Sequence, residues 1–211
     1  MMEMPARVAI WIGGRRGHPF AKVAKHLESI ILSMDGFVPR LHDSKALLVP
    51  SLLNSIDVIV SYTQGGWDLD ESEEDALFSF IEDQGGGFVG VHGATASFKN
   101  NPKYHDFLGA RFSGHGMPRK FTCVPVDVNH PVMTGIGKFT IRDEPYIHEM
   151  GENVQVLMIR EDDQEPVVYV KHHGKGRIAY MAFGHSAKIF KNNQIARQLI
   201  KNALSWSFDK V

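Results

Sequence analysis

Four short apolar runs each end at glycine or a polar residue, and this pattern limits the chain more than any other feature. They are residues 8–12 (VAIWI) before Gly13 and Gly14, and 57–61 (DVIVS) before Gln64, two glycines and Trp67. The others are 88–91 (FVGV) before His92 and Gly93, and 177–183 (RIAYMAF) before Gly184 and His185. Runs this short and this apolar suit strands covered on both faces. Helical patterns separate them. Phe20, Val23, Ala24, Leu27, Ile30, Ile31 and Met34 recur at three and four residues, one face of an amphipathic helix, with Pro19 well placed at its start. Leu77, Phe78 and Ile81 form a second buried face, which ends at Gly85, Gly86 and Gly87. Residues 37–41 (FVPRL) make a weaker strand near an edge, because Pro39 cannot donate to a ladder. The first half reads β-α-β-(α)-β-α-β-α, which implies an α/β fold with a doubly wound, mainly parallel sheet. Ligands of such sheets bind outside the carboxyl ends of the strands. His18, Gln64, Trp67 and His92 would collect there.

The second half is richer in β-structure. A short helix spans 102–108, and 121–128 alternates like a strand with Val124, Val126 and Val128 on one side. Asn129, His130 and Pro131 read as a turn. Residues 154–159 and 166–170 are further strands, and 172–176 (HHGKG) is a hairpin turn by its glycines. The last helix carries Ala196, Leu199, Ile200 and Ala203 at helical spacing.

The 211 residues suit one domain, 1–211, and 43% hydrophobic residues suffice for its core. A net charge of −1 leaves no basic excess to neutralise a phosphate backbone, which excludes nucleic acid as a partner. The single cysteine, Cys123, rules out an internal disulfide, suits a reducing, cytoplasmic setting, and reads as a small buried hydrophobe. The only apolar run near the start, 8–12, is too short for a signal peptide or a membrane span. The acidic run 70–75 (DESEED) reads as a solvated helix start capped by Asp70 or Ser72. The loop 13–18 (GGRRGH) tempts a phosphate-binding reading, yet it matches neither G-x-G-x-x-G nor a Walker loop.

Gly90 and Gly93 bracket His92, so the chain can turn sharply there and hold the imidazole up at the end of the sheet. Nucleophile elbows share this geometry. A histidine at the tip is a base, a hydrogen-bond donor or a metal ligand rather than an acyl-transfer nucleophile. Thr95 stands where it can cap a following helix.

Segments 90–95 (GVHGAT), 108–112 (LGARF) with His115 and His130-Pro131, 143–146 (DEPY) and 176–180 (GRIAY) with Gly184-His185 together resemble the ThuA-like family, named for trehalose utilisation. The resemblance runs from about residue 8 to 206. That family is similar in fold to class I glutamine amidotransferases, which implies a flavodoxin-like sheet. Amidotransferases carry a Gly-x-Cys-x-Gly elbow and a late His-Pro-Glu. Here the elbow cysteine position is His92, and the late histidine, His185, is followed by Ser186 and Ala187. With nucleophile and orienting acid both missing, a thiol acyl-enzyme is unavailable. The resemblance implies an old pocket holding different chemistry.

Three function classes follow. The first is an enzyme acting on a carbohydrate such as trehalose, a related disaccharide or a keto-sugar, with His92, Glu144 and His185 as catalytic acid/base groups. Around them, His18, Gln64, Trp67, His115, Asp143 and Tyr146 would bind substrate, Trp67 and Tyr146 with their ring faces. The second is a metal-dependent hydrolase or isomerase whose divalent ion, such as zinc, is held by His18, His92, His115, Glu144 and His185. No H-x-H or H-E-x-x-H spacing marks such a site. The third is a non-catalytic sugar-binding or regulatory protein. Structural alternatives stand beside these: Asp143 and Glu144 can pair with Arg142 or Arg111, Trp67 can pack on the surface, and Tyr146 can be core. His26, His42, His105, His130, His148, His172 and His173 read as surface or satisfied residues. The partner is a small carbohydrate. A homo-oligomer stays open, because short loops often borrow residues from a neighbouring subunit.

Overall fold

The computed structural model describes residues 4–15 and 17–209. In chain order its strands are β1 (Ala6–Gly14), β2 (Phe37–His42), β3 (Val58–Gln64), β4 (Gly87–Val91), β5 (Ala110–His115) and β6 (Arg119–Pro125). Then come β7 (Phe139–Asp143), β8 (Tyr146–Met150), β9 (Gln155–Arg160), β10 (Pro166–His173) and β11 (Gly176–Met181). The helices are α1 (Phe20–Leu32), α2 (Pro50–Leu53), α3 (Glu71–Glu82), α4 (Pro102–Leu108), α5 (Ala187–Asn192) and α6 (Gln194–Phe208). Among the described residues the strands form a nine-stranded sheet, β2-β1-β3-β4-β11-β10-β9-β6-β7, and a two-stranded sheet, β5-β8. From β2 to β11 every pairing is parallel. From β11 to β7 every pairing is antiparallel. The alternation in the first half thus gives a parallel sheet with β2 and its Pro39 at the edge, and the later strands extend that same sheet.

The apolar runs are explained by burial on both faces. In β1, Val8, Ile10 and Ile12 point into a core closed by α1, α5 and α6. Ala9 and Trp11 point into the opposite core, closed by α2, α3 and α4. Helix α3 starts with a capping box. The Glu73 N–H donates to Asp70 Oδ1 at 2.9 Å, and the Asp70 N–H donates to Glu73 Oε2 at 3.0 Å. The acidic run is therefore a helix start.

Two local expectations are corrected. Strand β6 ends at Pro125, and Val126 and Val128 are exposed. The face turned to the core is that of Phe121 and Cys123, whose packing outweighs the valine alternation. Thr95 caps no helix. Residues 92–96 form a single 3₁₀ turn, and the Thr95 hydroxyl pairs with the Tyr180 hydroxyl at 3.0 Å.

Cys123 is fully buried, and burial pushes its thiol up to about 12. We expect native protein at pH 8 to react with a thiol reagent at least about a hundredfold more slowly than urea-unfolded protein, because the thiolate is the reactive form. Native labelling at the unfolded rate would contradict this burial.

In hydrogen-bond order β7 lies four strand spacings from β11, about 19 Å in a flat sheet. Yet the Gly184 N–H, just past β11, donates to Asp143 Oδ2 at the end of β7, at 2.6 Å. The antiparallel half therefore coils back over the carboxyl end of the parallel half. Register shifts between β9 and β10 supply part of the bend.

Candidate functional site

The carboxyl ends of the parallel strands and the coiled-back end of β7 meet at one place. His18 lies in the loop between β1 and α1, His92 directly follows β4, and His185 follows β11. Glu144 sits between β7 and β8. One donor atom from each of these four residues lies within 4.8 Å of the others. Glu144 is the centre: its Oε2 is 3.4 Å from His92 Nε2 and 3.3 Å from His185 Nδ1. The His18 ring centroid is 5.3 Å from that of His92 and 5.0 Å from that of His185.

His92 is the most constrained of the four. It has φ +46°, a left-handed conformation rare outside glycine, and it is fully buried. Such a residue costs about 1–3 kcal/mol and persists only where its surroundings hold it. Its Nδ1–H donates to the Ala182 carbonyl at 3.0 Å, which fixes the ring and leaves Nε2 facing Glu144. Its own carbonyl accepts from the Tyr180 hydroxyl at 2.7 Å. Behind Tyr180 stands His148, with Nε2 3.2 Å from the hydroxyl and Nδ1 3.0 Å from Glu165 Oε1. This Glu165–His148–Tyr180 chain braces the elbow from below. Sequence reasoning did not find it. Tyr180 lies within the motif 176–180, but His148 reads there as a satisfied residue and Glu165 carries no pattern.

Electrostatics separate the members. Burial lowers the His18 pKa to about 4, helped by His92 and His185, so its ring is neutral at pH 7. Burial pushes the Glu144 carboxyl up, but His92 and His185 outweigh it and hold it below its ordinary value. Burial raises the Asp143 carboxyl, and His92 and the N–H of Gly184 only partly offset this. Asp143 Oδ2 also accepts the His185 N–H at 3.3 Å, so this acid orients the His185 loop, while its Oδ1 has no partner among the described residues.

The other candidates take different places. His115 is exposed at the end of β5, its ring against Tyr146 at 5.8 Å, and it is not among the four converging donors. Tyr146 is buried, with its ring 4.1 Å from His92 and 4.4 Å from Phe112. It therefore supports His92, and the expected open ring face for a sugar is not there. Gln64 and Trp67 line a separate cavity of about 310 Å³ with Arg15, Lys99 and Asn100. Trp67 also stacks on Trp11 at 6.5 Å. A second cavity, about 480 Å³, opens onto His185 and Asp143 and is lined also by Arg142, Lys188 and Asn192.

The trehalose-utilisation family ThuA matches residues 7–207. The chain belongs to the ThuA family. A ThuA-like protein from Parabacteroides merdae is similar in fold, with 17% identity, 98% of this chain and 93% of that one covered, and a TM-score of 0.82. A ThuA-like protein from Bacteroides uniformis has 20% identity, the same coverage and a TM-score of 0.79. A β-galactosidase from Bacillus circulans contains a similar unit, with 14% identity, 97% of this chain but 31% of that one covered, and a TM-score of 0.67. At these identities the likeness is one of fold. No curated protein matches the sequence. ThuA membership connects the chain with carbohydrate utilisation. No helix among the described residues is long and apolar enough to cross a membrane.

Proposed function

We propose that this ThuA-family chain binds and transforms a small neutral carbohydrate, of the class of trehalose, related disaccharides and their keto forms, in the pocket of His18, His92, Glu144 and His185. The observation that carries the reading is the position of the Glu144 carboxylate, 3.4 Å from one imidazole and 3.3 Å from another at the carboxyl edge of the sheet. A carboxylate between imidazoles can take a proton from a sugar hydroxyl or carbon acid and pass it on. Glu144 and His185 are the acid/base pair in this reading, and His92 holds the substrate oxygen. In this reading substrate enters through the cavity beside His185, which is lined by apolar Pro118, Ile141 and Ile189 together with Arg142, Lys188 and Asn192. The scaffold is read as a flavodoxin-like doubly wound unit, supported by the parallel order β2-β1-β3-β4-β11 with helices on both faces. With histidine at the elbow in place of cysteine, the amidotransferase reaction is not part of the proposal. Cytoplasmic residence is proposed from the lone, buried thiol.

A thermal-shift series with trehalose, hexoses and 3-keto sugars tests the reading. A ligand at a hundred times its Kd stabilises by about 2.7 kcal/mol, which moves Tm of a chain this size by roughly 5–10 °C. Stabilisation by nucleotides or phosphates with none from any sugar would overturn it.

A further inference from the structure

We propose that His18, His92, Glu144 and His185 form a binding site for one divalent transition-metal ion of the zinc class. The site is the one described above, but the inference does not need a sugar to be the substrate.

The argument begins with hydrogen bonds that are missing. His92 Nε2, His185 Nδ1 and both ring nitrogens of His18 are buried, and none has a hydrogen-bond partner among the described residues. His92 commits its Nδ1–H to the Ala182 carbonyl, a group that can only accept. In the neutral ring Nε2 is then a bare lone pair, and it faces a carboxylate oxygen that is also a lone pair. Such a pairing is repulsive unless a cation lies between. A single proton shared by His92 and Glu144 answers for those two atoms and leaves His18 and His185 unsatisfied. A proton on every ring would crowd three imidazolium ions around one carboxylate. One divalent ion takes one atom from each of the four residues at once and leaves only the second ring nitrogen of His18.

The distances agree with this. Two ligands bound at 2.0–2.1 Å to a tetrahedral zinc lie about 3.3–3.4 Å from each other. Glu144 Oε2 stands 3.3 and 3.4 Å from its two imidazole neighbours. No two of the four donor atoms are more than 4.8 Å apart, at most about 1.5 Å beyond that edge, which small rotations of the rings can close. The outer shell also has the form a metal site needs. A ligating histidine usually donates its other N–H to a carbonyl or carboxylate, as His92 does to Ala182. Asp143 anchors the backbone that carries His185. Three imidazoles and a carboxylate suit zinc and its first-row neighbours better than calcium or magnesium, which prefer all-oxygen shells. A cavity reaches the cluster at one of its members, His185.

The experiment contains no sugar. The full chain is purified without chelator for elemental analysis, then stripped and titrated with Zn²⁺ by calorimetry and with Co²⁺ by visible absorption. We expect about one equivalent of either ion on the stripped protein and d–d bands from Co²⁺ bound to nitrogen and oxygen. His18→Ala and Glu144→Gln should each weaken uptake at least about tenfold, with circular dichroism unchanged. These two variants keep the test decisive if His92→Ala fails to fold. Stripped wild type that takes up less than about a tenth of an equivalent of both ions overturns the site, as do variants that bind as tightly as wild type. A negative sugar screen with stoichiometric metal uptake overturns the substrate reading and leaves this one standing.

Discussion

Glu144→Gln is expected to abolish sugar-induced stabilisation and to lower any measured affinity or turnover at least about a hundredfold, or about 2.7 kcal/mol. The change keeps the shape of the side chain and removes its charge. Glutamine at this place also presents an amide that cannot be negative between His92 and His185, so the carboxylate that both imidazoles face is lost. Folding should barely respond, because Glu144 lies on the short connection from β7 to β8 and contributes no apolar packing. We expect the Tm of the unliganded variant within about 2 °C of wild type, the shift of a surface-type change below 1 kcal/mol. The measurement is a pair of melting curves with and without the best sugar of the screen. A variant that retains the full ligand shift would remove Glu144 from the mechanism.

Gly13→Ala should strongly destabilise the fold. Gly13 has φ +137°, where an L side chain is strained whatever the space around it. A Cβ there would also lie 2.2 Å from Trp67 Cη2. Trp67 cannot simply retreat: it stacks on Trp11, which is fully buried and stacks in turn on Phe98 at 5.4 Å. Backbone strain and overpacking together are expected to cost about 2–4 kcal/mol, a fall in Tm of roughly 5–15 °C. Gly137→Ala is the control, since its Cβ would meet nothing within 4 Å and its φ is not in the left-handed range; it should be near neutral. If Gly13→Ala melts with the control, the indole is not wedged against the strand. Gly13, near the end of β1, thus has a packing reason, and the phosphate-loop reading of 13–18 has no need to be revived.

What could be read in the sequence and what could not divide along physical lines. Strands buried on both faces announce themselves as unbroken apolar runs, so β1, β3, β4 and β11 were legible. His92 and His185 were legible because each follows such a run across a glycine. Glu144 was legible as an acid at a strand end, but its meeting with His18 was not, since 126 residues separate them along the chain. Cross-strand neighbours leave no periodic trace. For that reason the Glu165–His148–Tyr180 brace was invisible, although each member is ordinary where it stands. Tyr146 reads from sequence either as a pocket-mouth aromatic or as core, and only tertiary packing, with its ring against His92 and Phe112, decides for core. His115 belongs to the small β5–β8 sheet, exposed and stacked on Tyr146 beside the cluster but not within it; its spacing alone gave no sign of this. In the antiparallel half, hairpin pairing and a bulge set the path of the chain, and hydrophobic pattern specifies neither.

The coiling of the sheet has a kinetic meaning. Its β7 end meets the segment after the central strand β11 at a seam, Asp143 against Gly184, and Glu144 reaches the histidines only while that seam is shut. No run of neighbouring residues can assemble this pocket, so it exists late in folding or not at all. Opening of the β6–β7 pair would carry Glu144 away with the rest of the molecule still native, a sub-global event well below complete unfolding in free energy. Any occupant that holds Glu144 and His185 together is then a staple across the seam. Its signature would be slowed amide hydrogen exchange in β6 and β7, far from the strand β2 at the opposite edge, whose exchange should not change.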